Sequence, residues 1–521
     1  TDIQSAFDVI TYQKGAAVLN MFEQFIGPEA FRTGIRSYLQ AHARGNATSA
    51  DLIGAVAARS DRPEAIARAF SSFIDQPGVP FVGVELDCTG QQPALLLSQQ
   101  RYLPIGSAAA DTGSWGIPMT VRYADGDQVR TERMLFEGKQ GRMVLEDAAS
   151  CPAWVMPNAH GAGYYRFSLA PQLQSALSTA FDRLDELEQR VYADSVTAAY
   201  GAGRLTPSQL LATLPKFAAA PVRQTVTAGM YNTEWMAEHL LDDEAARDAF
   251  HAEVAAIYRP RLEQLGLAPK EGESDDDRLL RSSLVGFFAG TLEDPAVRAY
   301  LDKAGRAVLG LDSDGALHPD AVSQDLRGIA LGVAVEEGGR AAFDVAEKHF
   351  RASQDAVLRS QLLSAMGGTG VPGLDARMRE LAFEEGLLRR NEMFPAVGGQ
   401  TAEAATRPAL RQWIDANFEA LEDRLSPAGA AIVSLYAAGM CSDREADALQ
   451  AKFSERMANV EGGPRQCVRR HPEIRPQPDR ALIALLDRLR DAVENSLASF
   501  LVVSGQVLPP HALRCVSIMR A

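Results

Sequence analysis

Hydrophobic and polar residues change their spacing along the chain, and the first stretch has the spacing of helices. Residues 7–74 carry apolar side chains at intervals of three and four, as in LNMFEQFIG and FRTGIRSYLQAHA. Gly27 and Pro28 separate two of the predicted helices as a stop and a restart. Thr48 or Ser49 is placed to cap the next one.

The spacing changes to a period of two between residue 81 and about residue 168. Pro77 and Pro80 mark the boundary, and the segments FVGVEL, ALLLSQQRY, IPMTVRY, TERMLF and GRMVLE follow it. Turn signals such as ADGD and EGKQG lie between these segments. The pattern predicts an antiparallel sheet domain, most simply a small β-sandwich.

Helical spacing returns over residues 171–461. Three helices are predicted to begin with a capping side chain followed by proline, at Thr206-Pro207, Asp294-Pro295 and Ser426-Pro427. Helical segments alternate with short turns, which predicts stacked helix pairs in an α-solenoid-like array, although no strict repeat is present.

These patterns predict a multidomain, mainly α-helical chain with four parts. Residues 1–76 are helical, residues 77–170 form the β-sandwich, and residues 171–465 form the helical array. Residues 466–521 form an atypical tail that is partly helical and follows a Pro- and Arg-rich break.

Charge and hydropathy exclude several classes of partner. The 521-residue chain has 67 acidic and 52 basic residues and a formal net charge of -15. Nucleic acid is therefore not expected as a main partner, because phosphate contacts need clustered Lys and Arg. No apolar run approaches the ~18 residues of a transmembrane segment. The chain opens without a signal sequence or an initiating Met, so we expect a processed or truncated piece.

The five cysteines are scattered and form no CxxC pair, which argues against a structural zinc knuckle. Cys88 and Cys151 bracket the strand-rich segment. A disulfide between them would suit an exported protein, and two ordinary buried thiols are the alternative. We favour the disulfide, and with it a periplasmic or secreted location over a cytoplasmic one.

No complete active site can be found from residue chemistry alone. The sequence contains no HExxH, no GxSxG and no P-loop. The remaining candidate is Tyr12-Gln13-Lys14-Gly15, at the start of an apolar helix. A tyrosine phenol is protonated at neutral pH and can stabilise a developing oxyanion by roughly 3–4 kcal/mol. On chemistry alone, however, such a tyrosine is expected to be packed in the core with its hydroxyl satisfied.

The motifs taken in order resemble a known family. FDVITYQKGAAVLNMF, together with the following FRTGIRSYLQAHARGNATSADL, resembles the end of the catalytic domain of the gluzincin, aminopeptidase-N-like zinc aminopeptidases. FIDQPGVPFV, QQRYL, SWGIPMTVRY and PNAHGAGYYRFSL resemble the family's domain junction and β-domain strands. WIDANFEAL resembles an element of its large helical domain, and the resemblance covers about residues 1–465.

The resemblance implies the helical end of a thermolysin-like catalytic domain, a β-sandwich and a large helical domain. It also implies that Tyr12 donates its phenol to the tetrahedral intermediate when a zinc-bound water attacks a peptide carbonyl. Zinc would be bound by upstream residues absent from this chain, which alone is expected to be inactive. Arg166 could face the peptide substrate or pair with a neighbouring acid in the β-domain. The alternative from another class is a non-catalytic helical-repeat scaffold that binds peptides or proteins.

Overall fold

The computed structural model describes residues 10–105, 107, 111, 113–241, 243–402, 404–425, 430–440 and 443–457. The predicted tail at 466–521 and the predicted cap at Ser426 lie outside these residues. At the coarse level the fold prediction is confirmed: the chain is mainly helical, with two small sheets between its helical parts. None of the described helices combines the length and apolar character needed to cross a membrane.

Four helices come first, and local signals explain where they begin. A π-helical turn over Ile10–Lys14 leads directly into the first of them. Pro28 occupies the first turn of the second helix, and Thr48 caps the third through a capping box with Asp51. The four helices are α1 (Gly15–Ile26), α2 (Pro28–Ala41), α3 (Ser49–Ala57) and α4 (Pro63–Ile74).

Seven strands form the two sheets. They are β1 (Pro80–Asp87), β2 (Ala94–Arg101), β3 (Ile117–Asp125), β4 (Gln128–Phe136), β5 (Gln140–Val144), β6 (Val155–Met156) and β7 (Arg166–Leu169). One sheet has the order β5-β2-β1-β7, and the other has the order β4-β3-β6. The prediction of a wholly antiparallel sheet is wrong at one place, because β7 runs parallel to β1 with Phe81 opposite Arg166. A period of two marks a half-buried strand but does not specify the direction of its neighbour.

Sixteen helices follow the sheets in the described residues. The predicted caps at Thr206 and Asp294 are confirmed, because each side chain accepts a backbone N–H from its helix's first turn. The helices are α5 (Pro171–Thr179), α6 (Glu186–Gly201), α7 (Pro207–Leu211), α8 (Leu214–Ala218), α9 (Arg223–Val226), α10 (Met230–Leu240), α11 (Glu244–Leu265), α12 (Asp275–Gly286), α13 (Pro295–Leu309), α14 (Gln324–Ala352), α15 (Ala356–Gly367), α16 (Leu374–Ala382), α17 (Met393–Val397), α18 (Arg407–Leu425), α19 (Ala430–Ala437) and α20 (Asp443–Met457).

Two large hydrophobic cores hold these elements together. The first joins α1–α4, both sheets and the helices up to the first half of α14, with buried side chains from Val18 to Val333. The second lies among α13–α19, with buried side chains from Val308 to Ile432. Because α1 shares the first core with both sheets, the position of its N-terminus depends on how α1 packs against α4 and the strands.

Candidate functional site

Tyr12 lies on the surface, at the π-helical turn that precedes α1. Its side chain is 56% exposed, so it is not the core residue that residue chemistry alone predicts. The turn closes wider hydrogen-bonded rings than an α-helix, and such turns occur frequently at functional sites. The α-helix that follows begins at Gly15.

Lys14 ties this turn to the end of α4. Its ammonium donates a hydrogen bond of 3.2 Å to the main-chain carbonyl of Gln76. Burial lowers the pKa of the Lys14 ammonium, because the charged form loses hydration. Within the described residues the ammonium has no carboxylate within 4.0 Å, so the carbonyl of Gln76 is the polar partner that the structure gives it.

The C-terminal half of α1 is fixed by aromatic packing. The ring of Phe22 is fully buried and stacks on Phe70 with 4.4 Å between ring centroids. Phe22 also meets the edge of Phe73, which in turn meets the ring of Tyr164 before β7. The backbone N–H of Tyr164 donates to the sulfur of Met21 at 3.3 Å. Helix α1 is thereby held against both α4 and the segment that leads into β7.

Arg166 makes its contacts with α6 and with the residue that follows β2, rather than with the start of α1. Its guanidinium donates to both carboxylate oxygens of Asp194, at 3.0 and 3.1 Å. It also lies 4.5 Å from the centre of the Tyr102 ring, a cation–π distance. The acid belongs to the helical part of the chain and not to the sheets. Substrate binding by Arg166 remains a prediction, and it would require the guanidinium to leave its ion pair with Asp194.

Cys88 and Cys151 are joined by a disulfide in the structure, with 5.7 Å between their Cα atoms. Cys88 follows β1 in one sheet, and Cys151 precedes β6 in the other. The bond therefore connects the two sheets across a separation of 63 residues.

One cluster in the described residues brings three side chains of metal-binding type together, and the sequence analysis did not identify it. His160, Asp185 and Glu188 place their ligand atoms within 4.8 Å of one another. The Glu188 carboxylate accepts from the Arg122 guanidinium at 2.5 Å and from the backbone N–H of His160 at 3.1 Å. His160 Nδ1 lies 2.6 Å from the Asp185 carboxylate.

These contacts make the cluster an ion-pair network. A guanidinium already supplies the positive charge that a metal would bring, and backbone N–H groups fill much of the remaining acceptor capacity. The local signal was the spacing Asp185-x-x-Glu188, a capping box at the start of α6. The partners of that box on β3 and near β7 come from distant sequence and could not be read from it.

Comparison with known proteins gives the family. A family model described as the ERAP1-like C-terminal domain matches residues 154–470, which is more than half of the chain. A second, described as the peptidase family M1 domain, matches residues 1–75 and includes Tyr12 and Lys14. The chain belongs to the M1, aminopeptidase-N-like gluzincin family. The family resemblance predicted from the sequence motifs is thereby confirmed.

Curated M1 relatives resemble the chain over much of its length but extend well beyond it. Puromycin-sensitive aminopeptidase of Caenorhabditis elegans is 23% identical over 395 residues, 74% of this chain and 40% of the relative. Aminopeptidase M1-C of Oryza sativa subsp. japonica is 22% identical over 452 residues, 83% of this chain and 48% of the relative. Aminopeptidase M1-A of the same plant is 28% identical over 299 residues, which are 55% of this chain and 32% of the relative. The chain thus spans about a third to a half of these relatives.

M1 aminopeptidases are zinc enzymes, and no zinc site is evident among the described residues of this chain. The His160, Asp185 and Glu188 network does not fit the ion, because Arg122 and backbone donors already occupy its carboxylates. A catalytic zinc site needs three protein ligands and one open position for water.

Proposed function

We propose that the chain is the C-terminal part of a zinc-dependent aminopeptidase that removes N-terminal residues from peptides. The M1 family match supports this proposal, as does the extent of the relatives beyond the matched region. Zinc would be held by residues outside this chain. For that reason we propose that the 521 residues alone do not hydrolyse an aminoacyl amide.

The observation that carries the proposal is the surface position of Tyr12 within the segment that matches the peptidase family. We assign to Tyr12 the donation of a phenol hydrogen bond to the oxyanion of the tetrahedral intermediate. An exposed phenol is accessible to a substrate carbonyl, as an oxyanion donor must be. The phenol keeps its proton in this role, so the contact strengthens as charge develops on the oxygen.

The domain organisation belongs to the same proposal. Residues 1–76 would complete a thermolysin-like catalytic domain, and residues 77–170 would form a β-sandwich. Residues 171–465 would form an α-solenoid-like domain that closes over the peptide. Residues 466–521 would form a separate, partly helical tail.

The test is the turnover of the full-length protein that contains this chain, with Tyr12 replaced by phenylalanine. Loss of one oxyanion donor is expected to lower kcat by about 10²- to 10³-fold with little change in KM. Tyr231→Phe is the matched control, because Tyr231 is 72% exposed on α10 and has no assigned role. Equal kcat values for Tyr12→Phe and wild type would remove Tyr12 from the chemistry.

The alternative is a non-catalytic scaffold for peptides or proteins, and the same measurement separates it from the enzyme. Metal-dependent release of N-terminal residues by the full-length protein supports the aminopeptidase. Peptide binding without turnover in the zinc-loaded full-length protein would favour the scaffold. Stoichiometric zinc together with turnover in the 521-residue chain alone would contradict the assignment of the metal to residues outside it.

We also propose a periplasmic or secreted location. The Cys88–Cys151 disulfide supports an oxidising compartment, because cytosolic proteins rarely keep structural disulfides. The measurement is alkylation and mass analysis of protein isolated from the cells that make it. Two protected cysteines are expected before reduction, whereas alkylation of all five would contradict the proposal.

A further inference from the structure

We propose that Lys14 is a positioning residue for Tyr12, acting through a tether that runs from Lys14 to the backbone of Gln76. This inference rests on the proposed catalytic role of Tyr12. It assigns a specific mechanical task to the lysine of the YQKG segment, two residues after the phenol.

The Lys14 ammonium occupies a place that is unfavourable unless something holds it there. It is partly buried, which lowers its pKa because the charged form loses hydration. A lysine on a flexible stem would normally extend its charge into water. The ammonium donates instead to the Gln76 carbonyl, which lies 62 residues along the chain. This hydrogen bond offsets part of the cost of burying the ammonium, and it connects the π-helical turn to the end of α4.

The acceptor is itself rigid, because the side chain of Gln76 is fully engaged. Its amide NH2 donates to the carbonyl of Ser72 at 3.0 Å and to the carbonyl of Ser114 at 2.9 Å. Its amide oxygen accepts from the backbone N–H of Ser114 at 3.2 Å. One glutamine thus clamps the end of α4 to the segment before β3, and this fixes the direction of its own backbone carbonyl.

The clamped segment before β3 has no room to shift. Gly116 donates its N–H to the hydroxyl of Ser72 at 3.1 Å. A Cβ on Gly116 would lie 2.8 Å from the Cα of Ala69, so the backbone there rests directly on α4. The chain from Lys14 through Gln76 to this contact is a continuous path from the Tyr12 turn to the sheet.

The aromatic packing of α1 lies at Met21 and Phe22, more than two helical turns after Tyr12. The Lys14 tether holds the π-helical turn at a point two residues after the phenol. Without it, the π-helical turn can rotate or relax into an ordinary helix, and the phenol moves by a fraction of a turn. A misplacement of about 1 Å in an active site can cost about 10²-fold in rate.

The test measures peptidase kinetics of the full-length protein with Lys14→Met and Lys14→Arg. Lys14→Met is expected to lower kcat by about 10- to 100-fold with KM within about 3-fold of wild type. Lys14→Arg keeps a donor that can reach the carbonyl and is expected to recover most of the lost kcat. Lys270→Met is the matched control, because Lys270 also donates to a main-chain carbonyl but lies beyond α11. Its kcat is expected to equal that of wild type.

A double variant separates positioning from general stability. If Lys14 acts through Tyr12, then Lys14→Met changes kcat by less than about 3-fold once Tyr12→Phe is present. Multiplicative losses, or a fall in thermal midpoint that alone accounts for the lost activity, would overturn the inference. Failure of the proposed function gives a different result, because Tyr12→Phe then leaves kcat unchanged from the start.

Discussion

Removal of the buried carboxylate of Glu188 is expected to be among the most destabilising single changes in the described residues. The side chain is completely buried and accepts three hydrogen bonds, from Arg122 on β3 and from the backbone N–H groups of His160 and Asp185. Glu188→Leu leaves a guanidinium that is only 15% exposed without its main partner. Breaking a buried ion pair by deleting one partner typically costs 3–5 kcal/mol.

The expected cost is at the lower end of that range, about 3 kcal/mol, because a second carboxylate partly compensates. Asp185 lies 3.6 Å from the same Arg122 nitrogen and remains in place. Arg122→Met should cost less than Glu188→Leu, since Glu188 keeps its two backbone donors. The double variant should cost less than the sum of the two single changes, because neither charge is then left unpaired.

The assay is urea unfolding followed by tryptophan fluorescence, to which Trp115 and Trp154 contribute from positions beside the strands that are 1% and 4% exposed. Glu29→Leu is the control, because Glu29 pairs with Arg32 on a surface where the side chains are 79% and 57% exposed. An exposed pair contributes roughly 0–1 kcal/mol. Equal unfolding free energies for the Glu188 and Glu29 variants, or strictly additive Arg122 and Glu188 changes, would refute the reasoning.

Two further predictions concern the helical part. Gly305→Ala is expected to lower the free energy of unfolding by about 1–3 kcal/mol, because its Cβ would lie 2.1 Å from the Ala330 carbonyl where α13 crosses α14. Gly332→Ala, with open space at the new Cβ, should instead stabilise α14 by about 0.5–1 kcal/mol. The measurement is the thermal unfolding midpoint of the two variants and wild type. The Arg281 guanidinium holds the pKa of Glu273 at about 2, below its usual range near 4. The stability from this pair is therefore present above pH 5 and is lost as the pH falls toward 2. The difference in urea midpoint between wild type and Glu273→Gln should accordingly be constant above pH 5 and shrink as the pH falls toward 2. A difference that stays constant down to that pH would contradict the pairing.

Local signals in the sequence were enough to predict most of the secondary structure. The caps at Thr48, Thr206 and Asp294 work through side chains that contact backbone only two or three residues away. Periodicity likewise separates helices from strands, because each side chain's exposure follows from its own element. The parallel pairing of β1 with β7 was missed because it joins residues 81–84 to residues 166–169, and no local pattern records such a contact.

The candidate site could be predicted only in part, for the same physical reason. The motif resemblance identified Tyr12, but its exposure depends on how α1 packs against elements far along the chain. The partner of Arg166 was expected within the sheets, whereas Asp194 lies on α6. The ion pair of the buried Glu188 could not be predicted from the sequence. The spacing of Glu188 from Asp185 indicates only a helix cap, and the partner Arg122 lies 66 residues away.

The short polar motifs around the site gain a common explanation from their contacts. Lys14 of YQKG meets the backbone of Gln76 in FIDQPG, and the side chain of Gln76 meets Ser114 in SWGIP. Gln99, on β2 within the QQRYL motif, holds Trp115 in the same way. Its amide NH2 donates to the carbonyl of Trp115, and its amide oxygen accepts from the N–H of Trp115. The backbones of two neighbouring residues, Ser114 and Trp115, are thus held by two buried or partly buried glutamine amides. A buried amide is costly unless its donors and acceptor are satisfied, so these glutamines are best explained by the position they impose on the segment. That segment supports the carbonyl that holds Lys14, and Lys14 sets the turn that presents Tyr12.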